Sequence, residues 1–293
     1  MTDTLDQTNV ITEPGVYDAI PDHVYHADPV AAGSLSSSEL RRMVIPALYR
    51  WGKDNPPAYK REFDFGHAAH MAVLGGGEPV EVLNFDNRRT NAYKAAEEEA
   101  RTAGRVPVLA ADWEIVQSMV DAIRAHPIAS ALLDPDRGGK PEQSIFWQHH
   151  PDVWGRARAD WFPTITEQGR PILTDYKTAR TADPREFGRH AATFGYHQQA
   201  AWYLEGVQSV TGIDNPALVF VVQEKTAPYL VSVVEFDEMA LTIGRARNNA
   251  AVDAWLRCTE SGIWPGYPDE VQLMSLPRWT EIAFEEEKSD EQF

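Results

Sequence analysis

The chain has 293 residues, 43 % hydrophobic and 24 % charged, with a formal net charge of −17 at pH 7, which is ordinary globular composition with length for one large domain or two small ones. No apolar run approaches the ~18 residues that a membrane span needs. The single cysteine, Cys258, excludes an intrachain disulfide and a cysteine-built metal cluster. The polar, acidic start "MTDTLDQTNVITEPG" has neither the basic segment nor the apolar core of a secretory signal, so a cytoplasmic protein is expected. By bulk charge, nucleic acid is a poor partner. The charge is uneven, however: the tail is acid-rich, while "SSSELRRM", "DNRRTNAYK" and "GRARAD" are locally basic.

In chain order, residues 1–11 are expected to be disordered, 12–275 to form one domain and 276–293 an acidic tail. Residues 15–29 are turn-rich and partly extended. "SLSSSELRRMVIPALYRW" reads as a helix, with Ser36 and Glu39 in capping-box spacing and Pro46 shortening or kinking it. "FDFGHAAHMAVLG" is a second helix, ended by Gly75-Gly76-Gly77. "TNAYKAAEEEARTAG" is a polar surface helix. Residues 110–133 carry an apolar stripe through Trp113, Val116, Met119, Val120 and Ile123. The pattern then changes to three strands, "EQSIFWQHH", "VWGRARADWFP" and "RPILTDYKT". A helical block over 184–210, a hairpin around 217–236 and a long helix to Gly262 complete the order. It implies an α/β domain with a mixed sheet.

Alternate residues of a strand share a face. Arg156, Arg158 and Asp160 therefore lie together on one strand, and Asp175 and Lys177 on the next. Two carboxylates brought close repel unless a cation lies between them, and oxygen ligands favour Mg²⁺ or Mn²⁺. The lysine can orient water or neutralise charge developing on a phosphate. Such a set suits metal-assisted phosphodiester hydrolysis. For an isolated D-x-K, a surface pair on a strand edge is the plainer alternative.

The D-x-K is not isolated. "FGHAAH", "RARAD", then 14 residues, "DYK" and "QAAWY" occur in that order. This set resembles the PD-(D/E)xK nuclease superfamily, and within it the RecE-type (exonuclease VIII-like) and RecB-like exonuclease branch. The similarity runs from about residue 14 to about 270. It departs at Ala159, where the family motif has proline. The resemblance implies a restriction-endonuclease-like core: a mixed central β-sheet flanked by helices, with a helical N-terminal part. It implies His70, Asp160 and Asp175 as ligands of Mg²⁺ or Mn²⁺, the Tyr176 carbonyl as a further ligand, and Lys177 as the catalytic lysine. Gln199 and Tyr203 would steady the lysine or contact the DNA strand. Glu142 would hold a second ion or its water, or is a solvated strand-start glutamate. Arg156 and Arg158 would bind phosphate, or pair with acids. Ser36, Ser37, Ser38 and Arg41 would cradle a terminal phosphate at a helix start, or form an ordinary cap. His67 is a co-ligand or an exposed neighbour of His70, and His149, His150 and His197 are structural or solvent-facing.

The expected activity is exonucleolytic digestion of one strand from double-stranded DNA ends for recombination. A single-strand annealing protein as partner, a ring-like homo-oligomer and phage or prophage origin come with the same resemblance. An endonuclease, a helicase-associated nuclease and a non-catalytic DNA-binding protein of the same fold are the alternatives. The lone cysteine disfavours iron–sulfur relatives, and no Walker A motif is present.

Overall fold

The computed structural model describes residues 10–56, 61–165 and 170–290. Its first part holds β1 (Gly15–Tyr17), α1 (Asp22–Ala27), β2 (Ser34–Ser36), α2 (Ser37–Arg42), α3 (Pro46–Asp54) and α4 (Asp64–Leu74). The single helix expected over 34–51 is thus three elements. Ser36 accepts from the Glu39 N–H and donates its own N–H to Glu39 Oε2 at 2.8 Å, a complete capping box that starts α2 rather than continuing a helix. Pro46 opens α3 at a position where its missing N–H costs nothing. Gly75 stops α4 with a left-handed φ of 72°.

Next come β3 (Val80–Leu83), α5 (Asn91–Thr102), β4 (Val106–Leu109), α6 (Ala110–Ala125) and α7 (Pro127–Leu132). The parallel β3–β4 pair is absent from the sequence expectation, because four-residue "VEVL" and "VPVL" carry too little pattern. Then follow β5 (Lys140–His150), β6 (Val153–Phe162), β7 (Ile172–Ala179), α8 (Pro184–Phe194), α9 (Tyr196–Thr211), β8 (Ala217–Glu224), β9 (Val231–Glu235), α10 (Glu238–Ser261) and α11 (Arg278–Asp290).

The main sheet runs β1-β5-β6-β7-β8-β9, with β2 beside β6. β7 pairs parallel with β8, and β5–β6, β6–β7 and β8–β9 are antiparallel, so the sheet is mixed as expected. Its two faces are covered differently. Trp147, Leu173, Trp202 and Phe220 share one core cluster. Val116 and Met119 of α6 meet Tyr176 and Val221 in the other, together with Ala68 and Ala69 of α4. The helix α4 is thereby pinned beside β7.

The start of the chain is ordered earlier than expected. Residues 1–9 lie outside the described residues, but Ile11 bridges Val30 and is buried beside Phe146 and Tyr25. Two arginines then fasten this segment to the sheet, the acid-paired alternative to a phosphate role, and both also line the cleft described below. Arg156, only 4 % exposed, meets Asp28 at 2.8 Å and Glu39 at 2.9 Å and donates to the Ser34 carbonyl at 2.6 Å. Arg158 meets Asp22 at 3.1 Å, donates to the Ile20 carbonyl at 2.8 Å and lies 4.2 Å over the Tyr25 ring. Arg156→Met would take the guanidinium from buried Glu39, which keeps Lys53, and from half-buried Asp28, which keeps Ser34, and is expected to cost about 3 kcal/mol in denaturant unfolding. A loss below ~1 kcal/mol would contradict the clamp.

Candidate active site

The site grows where β6 and β7 part. Their ladder is reduced to Trp161 opposite Thr174. Beyond it the Tyr176 N–H donates to the Asp160 side chain, at 2.8 Å to Oδ2. The carboxylate is therefore aimed by backbone. Glu142 falls across β5–β6 from Asp160, between the pairs Pro141–Trp161 and Gln143–Ala159. Its φ of 52° is a left-handed conformation that a non-glycine residue rarely holds without reason. Gly76, after α4, lies so close to Pro141 that a Cβ there would come within 2.7 Å of the ring. This contact brings the end of α4 against the start of β5.

From α4, His70 reaches Asp160, its Nδ1 3.6 Å from Oδ2, which is too long for a hydrogen bond. One ligand atom each from His70, Glu142 and Asp160 lies within 4.8 Å of the others. Burial, helped by the Asp160 charge, pushes the Glu142 carboxyl up to about 7. Burial also raises Asp160, against the pull of Lys177. Burial, with the Lys177 charge, lowers His70 to about 4, so its imidazole is neutral and keeps a free lone pair. Two crowded carboxylates and a neutral imidazole are a donor set that fits a divalent cation.

Asp175 stands beside this trio. It is 1 % exposed, accepts from Gln199 Nε2 at 2.5 Å and has Lys177 Nζ 2.5 Å from Oδ2. Burial lifts its carboxyl to about 6, the Lys177 charge opposing. For Lys177, burial works against the charge, but Asp175 and Asp160 outweigh it and hold the ammonium protonated. The ammonium also sits 5.3 Å over the Tyr196 ring. Tyr203, one turn beyond Gln199, is buried, which keeps its phenol well above its ordinary value and neutral.

Tyr176 ties the parts together. Its ring lies 5.1 Å from that of His70, and its hydroxyl donates to Gln223 at 2.5 Å. Gln223 in turn donates to the Met119 carbonyl of α6 at 2.8 Å. Sequence reasoning missed both Tyr196 and Gln223. For Gln223 a signal existed, since it is the one polar residue closing the apolar run "ALVFVV".

The site opens into a cleft of about 1990 Å³. His67, Arg41 and Ser36–Ser38 line its wall. Ser36 forms the ordinary cap that is the alternative to a phosphate cradle, its hydroxyl bonded to Glu39. Arg41 donates to the Phe194 carbonyl. His149 contacts Glu205, His150 lies 4.0 Å from Asp152 and His197 is buried against Arg247, all away from the ligand trio.

Comparison with solved structures returns a protein from Eubacterium rectale provisionally described as an exonuclease. It covers 90 % of this chain and 98 % of its own, with a TM-score of 0.58 at 10 % identity, which shows a shared fold. An alkaline exonuclease from Laribacter hongkongensis covers 69 % of this chain and 96 % of its own at 11 % identity, but its TM-score of 0.28 carries no argument. Comparison with curated proteins returns no match. A family model for a PDDEXK-like domain of unknown function matches residues 49–277, which span α4, β5, β6, β7 and α9 and hence every group of the site. With that match over most of its length, the chain belongs to the PDDEXK-like domain family DUF3799, within the PD-(D/E)xK superfamily.

Proposed function

We propose that the protein is a divalent-metal-dependent DNA exonuclease that digests one strand from duplex ends and leaves single-stranded overhangs for recombination. The observation that supports it most is the His70–Glu142–Asp160 trio beside the buried Asp175–Lys177 pair, at the wall of an open cleft. Mg²⁺ or Mn²⁺ is the ion, with the imidazole favouring Mn²⁺ slightly. A bound ion supplies Lewis-acid polarisation of a phosphoryl oxygen and makes water more acidic.

The side chains supply the rest. Lys177, whose ammonium Asp175 and Asp160 favour, orients or activates water or neutralises charge growing on the phosphate. Asp175, itself held by the Gln199 amide, fixes the ammonium, and the Tyr176 N–H fixes Asp160. Tyr203, neutral, offers a hydroxyl beside Gln199. The motif order supports the RecE-type branch. With it come the annealing partner, a homo-oligomer, phage or prophage origin and a cytoplasmic setting. Among the described residues, no helix is long and apolar enough to cross a membrane.

The preference for ends is tested with labelled linear duplex beside a covalently closed circle, each with Mn²⁺. Loss of the linear DNA alone is expected. Cutting of the circle would replace the exonuclease with an endonuclease reading.

A further inference from the structure

The end of the described chain is anchored and then left bare. Trp264 stacks on Tyr49 at 5.4 Å, and the Pro265 carbonyl accepts from Ala47 N–H at 3.1 Å, rooting the segment on α3. From Gly266 to Lys288 every side chain but Thr280 is exposed. Val271 and Leu273 are fully exposed, and Met274, Leu276 and Trp279 are exposed by 60 % or more. So many large apolar groups in so short a stretch mark an interaction segment rather than ordinary surface. The 13-residue α11 is also too short to be stable in water without packing.

An unpartnered apolar face lies beside the root of this arm. Val44, 82 % exposed, Leu48 and Trp51, 64 % exposed, follow one another at one-turn spacing along α3 and the turn before it. Of the flanking cations Arg50 pairs with Asp54 and Lys53 with Glu39, and Arg42 makes no ion pair among the described residues, whereas residues 267–290 carry seven acids against two bases. Shape class and charge are thus complementary. In a single chain both surfaces stay open, although only a few residues join them. Reciprocal exchange between two copies covers both at once and closes with two-fold symmetry.

We infer that residues 267–290 form an arm that docks on the Val44–Leu48–Trp51 face of a second copy of this chain. The inference does not depend on the nuclease reading. Its seat adjoins the cleft, since Gly52 and Lys53 of α3 line that cleft. The charge complementarity makes the contact weaker at high salt.

The test is light-scattering mass after gel filtration of the full chain at tens of micromolar, for wild type, Trp51→Glu and the double variant Leu276→Glu/Trp279→Glu. All three positions are exposed, so the fold is expected to survive. Wild type is expected at twice the 32.8 kDa chain mass or a higher multiple, and both variants at one chain mass. A wild-type multimer that both variants retain would overturn the inference. So would a wild-type monomer: with an arm resistant to protease, the arm folds on its own α3, and with an arm readily cleaved, it serves a different protein.

Discussion

Replacing Lys177 with methionine is expected to leave a folded protein whose DNA hydrolysis is at least ~10²-fold slower. Methionine keeps the stem that packs toward Tyr196 and removes only the charge and its donors. Asp175 is then left with Gln199 as partner. Its carboxyl already sits at about 6 with the lysine present, so without it a proton is taken up near neutrality. That uptake limits the stability penalty of stranding a buried acid. Arginine is not an adequate substitute, because its planar fork does not fit a point-charge position. The check is single-turnover cleavage of labelled duplex under saturating metal, with circular dichroism to show the fold. A rate within about threefold of wild type would remove Lys177 from the chemistry.

The second large effect falls on Asp160→Asn. Asparagine retains an oxygen to accept the Tyr176 N–H at the 2.8 Å contact, so β6 and β7 are expected to keep their geometry. What disappears is one of the two charges that crowd against Glu142. In chelator the variant is therefore expected to melt at or above the wild-type temperature. With a divalent ion the order reverses. At a hundredfold excess over its Kd, an ion stabilises the wild type by about 2.7 kcal/mol. For a protein of this size that corresponds to a rise of several degrees in Tm. The variant is expected to show less than a degree of shift and at least ~10²-fold slower hydrolysis. An equal shift in both proteins would place the ion elsewhere.

The sequence shows the sheet better than it shows the partners within it. "SIFW", "RARADWF", "ILTDYK" and "LVFVV" carry strand patterns, and these strands build the site as alternation implies. Alternation puts Arg156 and Arg158 on the Asp160 face but says nothing of what meets them. Their acids, Asp22, Asp28 and Glu39, come from more than a hundred residues earlier, so only the folded chain reveals the clamp. His70 was legible through the ordered motif set alone, because a histidine in a helix is ordinarily uninformative. Glu142 depends on a backbone conformation, φ 52°, that no side-chain pattern announces. Asp175 is legible as a metal ligand through the motif, but its contacts to Gln199 and Lys177 are not, because Gln199 comes from a helix that no strand pattern places. In the N-terminal part, a capping box and a proline sufficed to break the expected long helix into β2, α2 and α3.

Calorimetric titration of Mn²⁺ into wild type and Asp160→Asn, in metal-free buffer and without DNA, tests the metal centre most directly. Saturable binding to the wild type, lost in the variant while its fold persists, is the expected result. Binding of equal affinity in both, or no binding to the wild type, would contradict a metal site built on His70, Glu142 and Asp160.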